Sequence, residues 1–388
     1  MSTKIKNIVT TVAFSAFIAV FAVLCIIRAF NPVLRSEEER RDLAQFPTDF
    51  TWEELLNNKV TVDAAGNEVL PPIKQFENYT VDQFPLRQFF RNIKLGFAMG
   101  VLNVKENNGY VKENGSVTTV TSAYTEKQLE ALKYQISVLN KVYDRYLAGN
   151  GGNHYLAIIP DKNYYLGEEY GYPTPDYDGL VEQMKNALSG MEYVDLFGSL
   201  ELEDYYKTDW HWDQSKLDGV MATLGDAMGF GVSGKYDKTE LEGFSGGYYG
   251  ALDTSAETLT YLTNDILNGC TVYEYVTQKT SGLYHHDIFH HPENYANKVQ
   301  YDFFMNGRCG VQRIDNPNAT TDKELIVFRD SYGASILPLM AEGYKTIYSI
   351  DLRDSIHAML GVYGFDFEGK DVLFMFSTTV LTGDERFK

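Results

Sequence analysis

The sequence predicts an α/β fold with a mostly parallel β-sheet, and two observations carry that prediction. Short apolar segments of five or six residues, typical of strands that are buried on both faces, recur along the chain. Segments with helical spacing of apolar residues alternate with them, as expected when helices cover both faces of a parallel sheet. The hydrophobic content of 44% over 388 residues is sufficient for a large core and argues against general disorder.

The N-terminal segment differs from the rest of the chain. Lys4 and Lys6 precede an apolar stretch at 8–27, and Arg28 follows it. A helix of about 20 apolar residues spans about 30 Å, the thickness of a bilayer core. The stretch is longer than most signal-peptide cores and a poor cleavage site follows it, so we expect an uncleaved anchor. The two lysines place the N-terminus in the cytoplasm and the remaining chain outside the cell membrane.

The helices and strands after the N-terminal stretch are predicted from short local patterns in the sequence. Thr125 and Gln128 form a capping box that starts the longest helix after the anchor, and Asn-Gly pairs beside a short strand predict a hairpin in 107–115. The other helices are predicted by apolar residues three and four positions apart. The expected helices are a short one in 51–74, one in 76–99 after Pro85, 126–146, 179–189, 217–228, one from about Ala334, and one after Ile350. The expected strands are 155–159, 193–196, 325–328, 346–350 and 371–376.

Composition divides the chain further. Residues 231–300 are richer in Gly, Tyr and His and lack helical spacing, which predicts a β-rich or irregular insertion. We therefore expect a cytoplasmic stub and transmembrane anchor at 1–30, a juxtamembrane segment at 31–75, and one α/β domain at 76–388 that contains the insertion.

Charge limits the classes of ligand. The formal net charge is -19, and no run of Lys and Arg appears, so the sequence excludes an ordinary nucleic-acid binder. The same charge disfavours steering toward an anionic polymer, whereas a neutral glycan or a small acyl donor fits it.

Ser331 follows the predicted strand at 325–328 and precedes a helix. Ligand sites of open α/β sheets lie beyond the carboxyl ends of the strands. Free N–H groups at a helix N-terminus stabilise an oxyanion, so Ser331 is a candidate nucleophile. The structural alternative is a simple N-cap.

A second polar segment supplies a candidate base. Asp209 and His211 are two positions apart, and an extended segment directs such side chains to one face. A serine nucleophile needs a base, and the base needs an orienting carboxylate. The alternative is a buried histidine packed between Trp210 and Trp212.

These residues carry a family resemblance. Thr208-Asp-Trp-His-Trp212 resembles the Thr-Asp-His-His-Trp signature of the bacterial DHHW family and is similar to a segment of the alginate O-acetylation proteins J and X. Both groups belong with the SGNH hydrolase-like acyltransferases. Further short motifs stand in the order of the family: 38–47, 76–79, 82–87, 160–162, 244–249, 328–332, 350–353 and 371–374.

The resemblance implies an SGNH-like three-layer αβα fold and assigns roles. Asp209 orients, His211 is the base, and Ser331 takes the acyl group. Tyr332 and Arg353 match positions near the site and are candidates for substrate binding or oxyanion stabilisation. The chain departs from the signature at Trp210, where DHHW proteins have His. It also has no clear Gly-x-Asn-Asp segment that would supply an oxyanion-hole asparagine.

The resemblance further implies a function. We expect a membrane-anchored O-acetyltransferase, without a cofactor, that modifies a cell-surface polysaccharide outside the membrane. A multi-pass membrane acyltransferase is the expected supplier of the acetyl group. A carboxylesterase and a non-catalytic glycan-binding or scaffold module of a polysaccharide export complex are the alternatives.

Two other groups of residues have open interpretations. Cys270 and Cys309 lie in the exported part, where a disulfide persists once formed, and two free buried thiols are the other reading. A polar loop explains the histidines of 285–291 better than a metal site, because neighbouring side chains diverge. No metal site is predicted.

Overall fold

The chain forms two compact units, Met1–Asn107 and Asn108–Lys388. The expected boundary at 75 therefore falls inside the first unit. The computed structural model describes residues 3–36, 41–62, 68–102, 104–107, 109–249, 251–252, 254–275, 283–287, 300–319, 321–364 and 366–388.

In the first unit, the N-terminal helix is long and apolar enough to cross a membrane, and none of its residues is buried. It contains the predicted span at 8–27. The helices of the described part are α1 (Thr3–Phe30), α2 (Trp52–Asn57), α3 (Pro72–Asp82) and α4 (Arg87–Gly100). Its strands, each of two residues, are β1 (Arg35–Ser36), β2 (Arg41–Asp42), β3 (Thr61–Val62), β4 (Glu68–Val69) and β5 (Glu106–Asn107).

A mixed eight-stranded sheet forms the centre of the second unit. The strands of this unit are β6 (Tyr110–Glu113), β7 (Ser116–Thr119), β8 (His154–Ile159), β9 (Glu192–Asp195), β10 (Asp237–Phe244), β11 (Glu257–Thr263), β12 (Thr271–Tyr275), β13 (Leu283–Asp287), β14 (Val311–Asp315), β15 (Glu324–Arg329), β16 (Thr346–Ile350) and β17 (Asp371–Ser377). The sheet order is β13-β12-β14-β16-β15-β17-β8-β9.

Only part of this sheet is parallel. The five strands from β16 to β9 run parallel, whereas β14, β12 and β13 pair antiparallel at the other side. The expected insertion contributes β12 and β13, between which only the seven residues 276–282 lie. Neighbouring strands joined in this way pair antiparallel, because a parallel pair needs a long crossover connection.

Helices cover the parallel strands on both faces. Along β15, Leu325 and Val327 join an apolar cluster with the helices Asp218–Met228 and Gly333–Met340. Ile326 and Phe328 join another cluster with the helices Glu126–Val142 and Tyr177–Ala187. This alternation is the period of a strand that is buried on both faces. The helices of the second unit are α5 (Glu126–Val142), α6 (Lys162–Tyr170), α7 (Tyr177–Ala187), α8 (Asp218–Met228), α9 (Asp265–Asn268), α10 (Gly333–Met340) and α11 (Thr378–Leu381).

Most predicted elements are present, but the helices α3 and α6 were not predicted and other elements differ. Thr125 and Gln128 make both hydrogen bonds of the expected capping box. β14 was not predicted, because its sequence is interrupted by Gln312, whose buried side chain accepts a hydrogen bond from Arg329. His357–Tyr363, expected as a helix, is a 3₁₀ segment that ends at a glycine.

The structure corrects the disulfide reading. Cys270 and Cys309 are free thiols, and each Sγ lies 3.4 Å from a local backbone carbonyl oxygen. The antiparallel register of β12 and β14 pairs Thr271, the neighbour of Cys270, with Asp315. Cys309 precedes Val311, which lies four positions from Asp315 at the other end of β14. Four positions along a strand are about 13 Å, beyond the reach of a disulfide.

Candidate active site

The predicted triad residues meet beyond the carboxyl ends of the parallel strands, where open α/β sheets bind ligands. Ser331 lies two residues beyond β15. Asp209 and His211 lie in a loop whose two sides pair through a bridge between Tyr205 and Trp212. His211 and Ser331 are 120 positions apart in sequence, so tertiary packing alone brings them together.

Ser331, His211 and Asp209 form a continuous hydrogen-bonded chain. Ser331 Oγ lies 2.8 Å from His211 Nε2, and His211 Nδ1 lies 2.6 Å from Asp209 Oδ1. The same carboxylate oxygen accepts the His211 amide at 2.9 Å, so it holds both the ring and its backbone. An ionised carboxylate only accepts hydrogen bonds, so Nδ1 carries the proton and Nε2 offers its lone pair to Ser331.

The second oxygen of Asp209 accepts the Gly247 amide at 2.7 Å. Burial by itself raises the pKa of Asp209. The charge and hydrogen bonds of His211, together with the Gly247 amide, outweigh burial, and the pKa lies below its ordinary value. Asp209 is therefore ionised at neutral pH, as required of a group that stabilises an imidazolium.

The buried side chain of Lys162 binds carbonyl oxygens of the loop that carries Asp209 and His211. Lys162 Nζ donates to the carbonyl oxygens of Val117 at 2.6 Å, Tyr206 at 2.9 Å and Asp209 at 3.1 Å. Burial lowers the pKa of Lys162 to about 7, while the charges of Asp209 and Glu257 oppose that change. Three acceptors need three N–H groups, which only the ammonium form supplies. The ammonium form, which dominates below about pH 7, thus ties β7 to the loop that carries Asp209.

A carboxylate holds the same loop from another side. Glu257, the first residue of β11, accepts the amide of Lys207 at 2.9 Å and the amide of Thr208 at 2.7 Å. Thr208 Oγ1 in turn accepts the Gly246 amide at 3.0 Å. A side chain at Gly246 would overlap the Thr208 carbonyl, so this approach requires glycine.

Aromatic rings restrict the imidazole and its neighbours. The Tyr301 ring stacks on His211 with 3.8 Å between centroids and an angle of 4°. The Tyr301 hydroxyl donates to Ser335 Oγ at 2.8 Å, which anchors that ring in the core. The Tyr332 hydroxyl donates to the Trp210 carbonyl oxygen at 2.6 Å. The base therefore has little freedom to rotate away from Ser331.

The turn that presents Ser331 is fixed by Asp330. Its Oδ1 accepts the Tyr332 amide at 3.0 Å, and its Oδ2 accepts the amide and hydroxyl of Ser377, each at 2.7 Å. Among the residues that the structure describes, none accepts a hydrogen bond from the Ser331 amide. That amide is one donor available to a developing oxyanion.

A second donor lies beside Ser331. Trp210 Nε1 donates to His211 Nε2 at 3.1 Å, the same nitrogen that contacts Ser331. A neutral imidazole nitrogen has one lone pair, so the indole N–H and the serine hydroxyl share it. Gly247 lies against the Trp210 ring so closely that a Cβ there would overlap it, and this contact keeps the indole in place.

The two oxyanion candidates from the family resemblance have other partners. The Tyr332 amide and hydroxyl are used by Asp330 and by the Trp210 carbonyl oxygen. Arg353 binds Asp351 through Nε at 2.9 Å and Nη2 at 2.6 Å. Neither side chain donates to Ser331 in this structure, and a role of either in substrate binding stays a prediction.

The histidine-rich segment lies largely outside the described residues. Only the backbone of His285 and His286 is described, within β13, and His290 and His291 are not. Among the side chains that the structure does describe, no three His, Cys, Asp or Glu residues are placed to share a metal ion.

Several site residues were not assigned from the sequence. Lys162, Gly247 and Glu257 contact the loop that carries Asp209 and His211, and Trp210 belongs to that loop. The sequence placed Lys162, Trp210 and Gly247 in motifs without giving them a role. In the sequence, Lys162 stands out as a charged residue shortly after an apolar strand. Gly247 stands out only as part of the Gly246-Gly247 pair, which indicates a turn. Glu257 has no signal in the sequence, because only the fold brings β11 to this loop.

Comparison with solved structures supports the family resemblance. A DHHW family protein from Eubacterium siraeum matches with a TM-score of 0.56 and 23% identity, over 72% of this chain and 94% of that protein. Bacillus cereus PatB1 matches with a TM-score of 0.57 and 22% identity, over 73% of this chain and all of that protein (100%). A further match, the O-acetyltransferase domain of Pseudomonas putida AlgJ, has a TM-score of 0.43 and 13% identity over 71% of this chain.

This chain therefore has the fold of the first two proteins, one of which is a DHHW family protein, in agreement with the resemblance that the motifs carry. No family model matches the chain, and no curated protein sequence matches it. At these identities the likeness establishes the fold, so activity must be argued from the site.

Proposed function

We propose that this chain is a membrane-anchored serine O-acyltransferase that transfers an acetyl group to a hydroxyl of a cell-surface polysaccharide. The triad geometry carries the proposal: Ser331 Oγ is 2.8 Å from His211 Nε2, and His211 Nδ1 is 2.6 Å from Asp209. These contacts are those of an activated serine nucleophile. The motif resemblance supports acetyl as the group and a polysaccharide as the acceptor.

The first half-reaction forms an acyl-enzyme. Ser331 Oγ attacks the carbonyl carbon of the acetyl donor, and His211 Nε2 takes the hydroxyl proton. Asp209 stabilises the imidazolium that forms. When the tetrahedral intermediate collapses, the bond from carbon to the leaving group breaks, and the leaving group takes the proton from Nε2.

The second half-reaction regenerates the free enzyme from the acetyl-serine intermediate. A polysaccharide hydroxyl attacks the acetyl-serine carbon and transfers its proton to His211 Nε2. Collapse breaks the bond between carbon and Ser331 Oγ, which regains the proton, and the sugar leaves as its acetyl ester. No redox step or cofactor is required.

Two N–H groups serve the oxyanion in this proposal. The Ser331 amide has no acceptor among the described residues, and the Trp210 indole N–H lies next to the nucleophile. The indole N–H moves from Nε2 to the carbonyl oxygen of the acetyl donor when that donor arrives. Trp210 thereby replaces the asparagine that the sequence lacks.

The proposal also includes a location and a partner. α1 supports an anchor that crosses the cell membrane once, with the triad outside. Polysaccharide acetylation outside the membrane needs an acetyl donor there, and a multi-pass membrane acyltransferase would supply it. The net charge of -19 favours a neutral acceptor glycan.

The test compares wild type with Ser331→Ala in the full-length chain in detergent. Wild type should release nitrophenolate from p-nitrophenyl acetate and acetylate an oligosaccharide acceptor, as measured by mass spectrometry. We expect Ser331→Ala to lower both by at least about 10³-fold, because the nucleophile is lost. Ser199→Ala, outside the triad, is the control. Equal activity in Ser331→Ala and wild type would disprove the assignment.

Two alternatives have distinct outcomes in the same experiment. Nitrophenolate release without acetylated glycan, over a range of acceptors, identifies a carboxylesterase. Failure of a serine-reactive fluorophosphonate to label Ser331 in folded wild type identifies a non-catalytic module, because an activated serine reacts with that probe.

A further inference from the structure

Helix α4 has an apolar face that is exposed. Phe89, Ile93 and Phe97 are spaced by four residues, which places them in one stripe along the helix. These side chains are 57%, 53% and 55% exposed, respectively. A helix of a soluble domain normally turns its apolar stripe to the core. In α4 the apolar stripe faces away from the protein instead. Such a stripe is stable only when another apolar surface covers it.

The opposite side of α4 is partly covered by protein. Arg87, Arg91 and Leu95 lie on that side and are half-buried, and Arg87 forms an ion pair with Asp82 at 3.6 Å. Lys94 lies near the border between the two faces and is exposed. An exposed apolar face with a lysine at its border suits a membrane interface, where cations meet lipid phosphates.

α4 also touches the membrane anchor. The Phe21 ring of α1 lies 5.9 Å from the Phe90 ring of α4 and 6.0 Å from Phe84, just before α4. Phe21, Leu24 and Arg28 are the half-buried residues of the described part of α1, and all its other described residues are exposed. They form one side of the helix near its outer end. α4 is thus packed beside the outer third of α1.

The depth of this contact agrees with an interfacial position. Phe21 lies six residues inside the end of the apolar stretch at Ile27, or about 9 Å at the rise of an α-helix. Interfacial helices bury their apolar face about 5–10 Å below the headgroups. The contact between Phe21 and Phe90 therefore occurs at the level such a helix occupies.

We infer that α4 lies in the outer interface of the bilayer that α1 crosses, with Phe89, Ile93 and Phe97 among the acyl chains. Lipid is the occupant of this face because the stripe is continuous with α1, whose apolar side chains are exposed all around. This inference rests on the proposed membrane anchor and adds a second membrane contact.

The test measures depth residue by residue in the full-length chain, reconstituted in phosphatidylcholine bilayers with brominated acyl chains. Bromine quenches tryptophan that lies among the chains. Phe97→Trp probes the apolar stripe, Asn92→Trp probes the polar side of the same helix, and Phe14→Trp probes the anchor. Wild-type emission, from the three native tryptophans, is subtracted.

We expect added emission from Phe97→Trp to be quenched at least half as strongly as that from Phe14→Trp, with little quenching for Asn92→Trp. Ile93→Trp should behave like Phe97→Trp, which guards against a single misfolded variant. If Phe14→Trp is quenched but neither stripe variant is, the inference is wrong while the anchor stands. Blue-shifted but unquenched emission would then identify a protein partner or a second copy on this face. If Phe14→Trp is unquenched as well, the proposed anchor fails too.

Discussion

His211 Nε2 is the atom on which the chemistry of the site depends, because two donors share its lone pair. The Ser331 hydroxyl lies 2.8 Å away and the Trp210 indole N–H 3.1 Å away. Only one of them can make a linear hydrogen bond to a trigonal nitrogen. The arrangement favours a state in which a ligand carbonyl oxygen takes the indole N–H and leaves Nε2 to the serine.

This sharing leads to a prediction for Trp210→Phe. Phenylalanine retains an aromatic ring but has no N–H, so one of the two proposed oxyanion donors is lost. We expect kcat for p-nitrophenyl acetate to fall about 10²–10³-fold, the usual effect of removing one such donor. The KM should change by less than about threefold, since the interaction forms in the transition state. Steady-state kinetics of the full-length chain measure both constants.

Trp210→His provides the matched variant. Histidine is the residue of the DHHW signature at this position, and its ring N–H can replace the indole donor. We expect the kcat of Trp210→His for p-nitrophenyl acetate to be about tenfold or more above that of Trp210→Phe. Wild-type kcat in Trp210→Phe would show that the Ser331 amide is sufficient and that the indole has no role in the oxyanion site.

The loop from Tyr205 to Trp212 is the element that positions the base, and it has no regular secondary structure of its own. Its geometry comes from groups on three other elements. Lys162 at the start of α6 holds its carbonyl oxygens, Glu257 of β11 holds its amides, and Gly247 holds the Asp209 carboxylate. Such a loop can be precise only while these supports remain.

We expect Lys162→Met to act on this element as a whole. Methionine has similar length but leaves the carbonyl oxygens of Val117, Tyr206 and Asp209 without their buried donor. The loop would shift, and displacement of a catalytic group by about 1 Å lowers rates about 10²-fold. Kinetics with p-nitrophenyl acetate should show this loss in kcat, with KM nearly unchanged.

Lys207→Met is the control for that prediction. Lys207 is an exposed lysine of the same loop, so its loss removes an equal charge without removing the buried support. The kcat of Lys207→Met should stay within about twofold of wild type, as for most surface substitutions. Equal losses in the two variants would show that charge near the site, and not the support from Lys162, controls kcat.

At the scale of the whole molecule, Lys162 links folding to pH. Burial lowers its pKa from 10.5 to about 7 in the folded chain. Below pH 7 the lysine is charged in both folded and unfolded chains, and the cost of burying the charge is fully present. Between about pH 7 and 10.5 the unfolded chain binds more protons, so this contribution to stability improves as pH rises.

We therefore expect the melting temperature of wild type relative to Lys162→Met to increase between about pH 6 and 9. The comparison isolates Lys162, because the other titrating groups are common to both proteins. Thermal melts followed by circular dichroism in the same detergent measure the difference. A difference that is constant or decreases with pH would contradict a lowered pKa for Lys162.

The sequence predicted elements where the signal is local. The capping box at Thr125, the apolar strands and the position of Ser331 after β15 follow from neighbouring residues. β14 was missed because its polar Gln312 is accommodated by a distant partner, Arg329. The sequence left a disulfide and two free thiols open for Cys270 and Cys309 for a similar reason. The register of β12 and β14 separates the cysteines, and only strand pairing sets that register.

The residues of this chain predict the apolar N-terminal helix, the parallel strands of the sheet and the candidate triad without any knowledge of the fold, because composition, periodicity and short motifs carry these signals. Which groups contact the triad depends on the tertiary fold. Lys162, Trp210 and Glu257 come from separate parts of the chain, and whether a donor meets an acceptor at about 3 Å depends on how those parts pack. Tyr332 and Arg353, which the family motifs make candidates, bind nearby carboxylates and a carbonyl oxygen in this structure, and only the packing of the chain brings these partners to them.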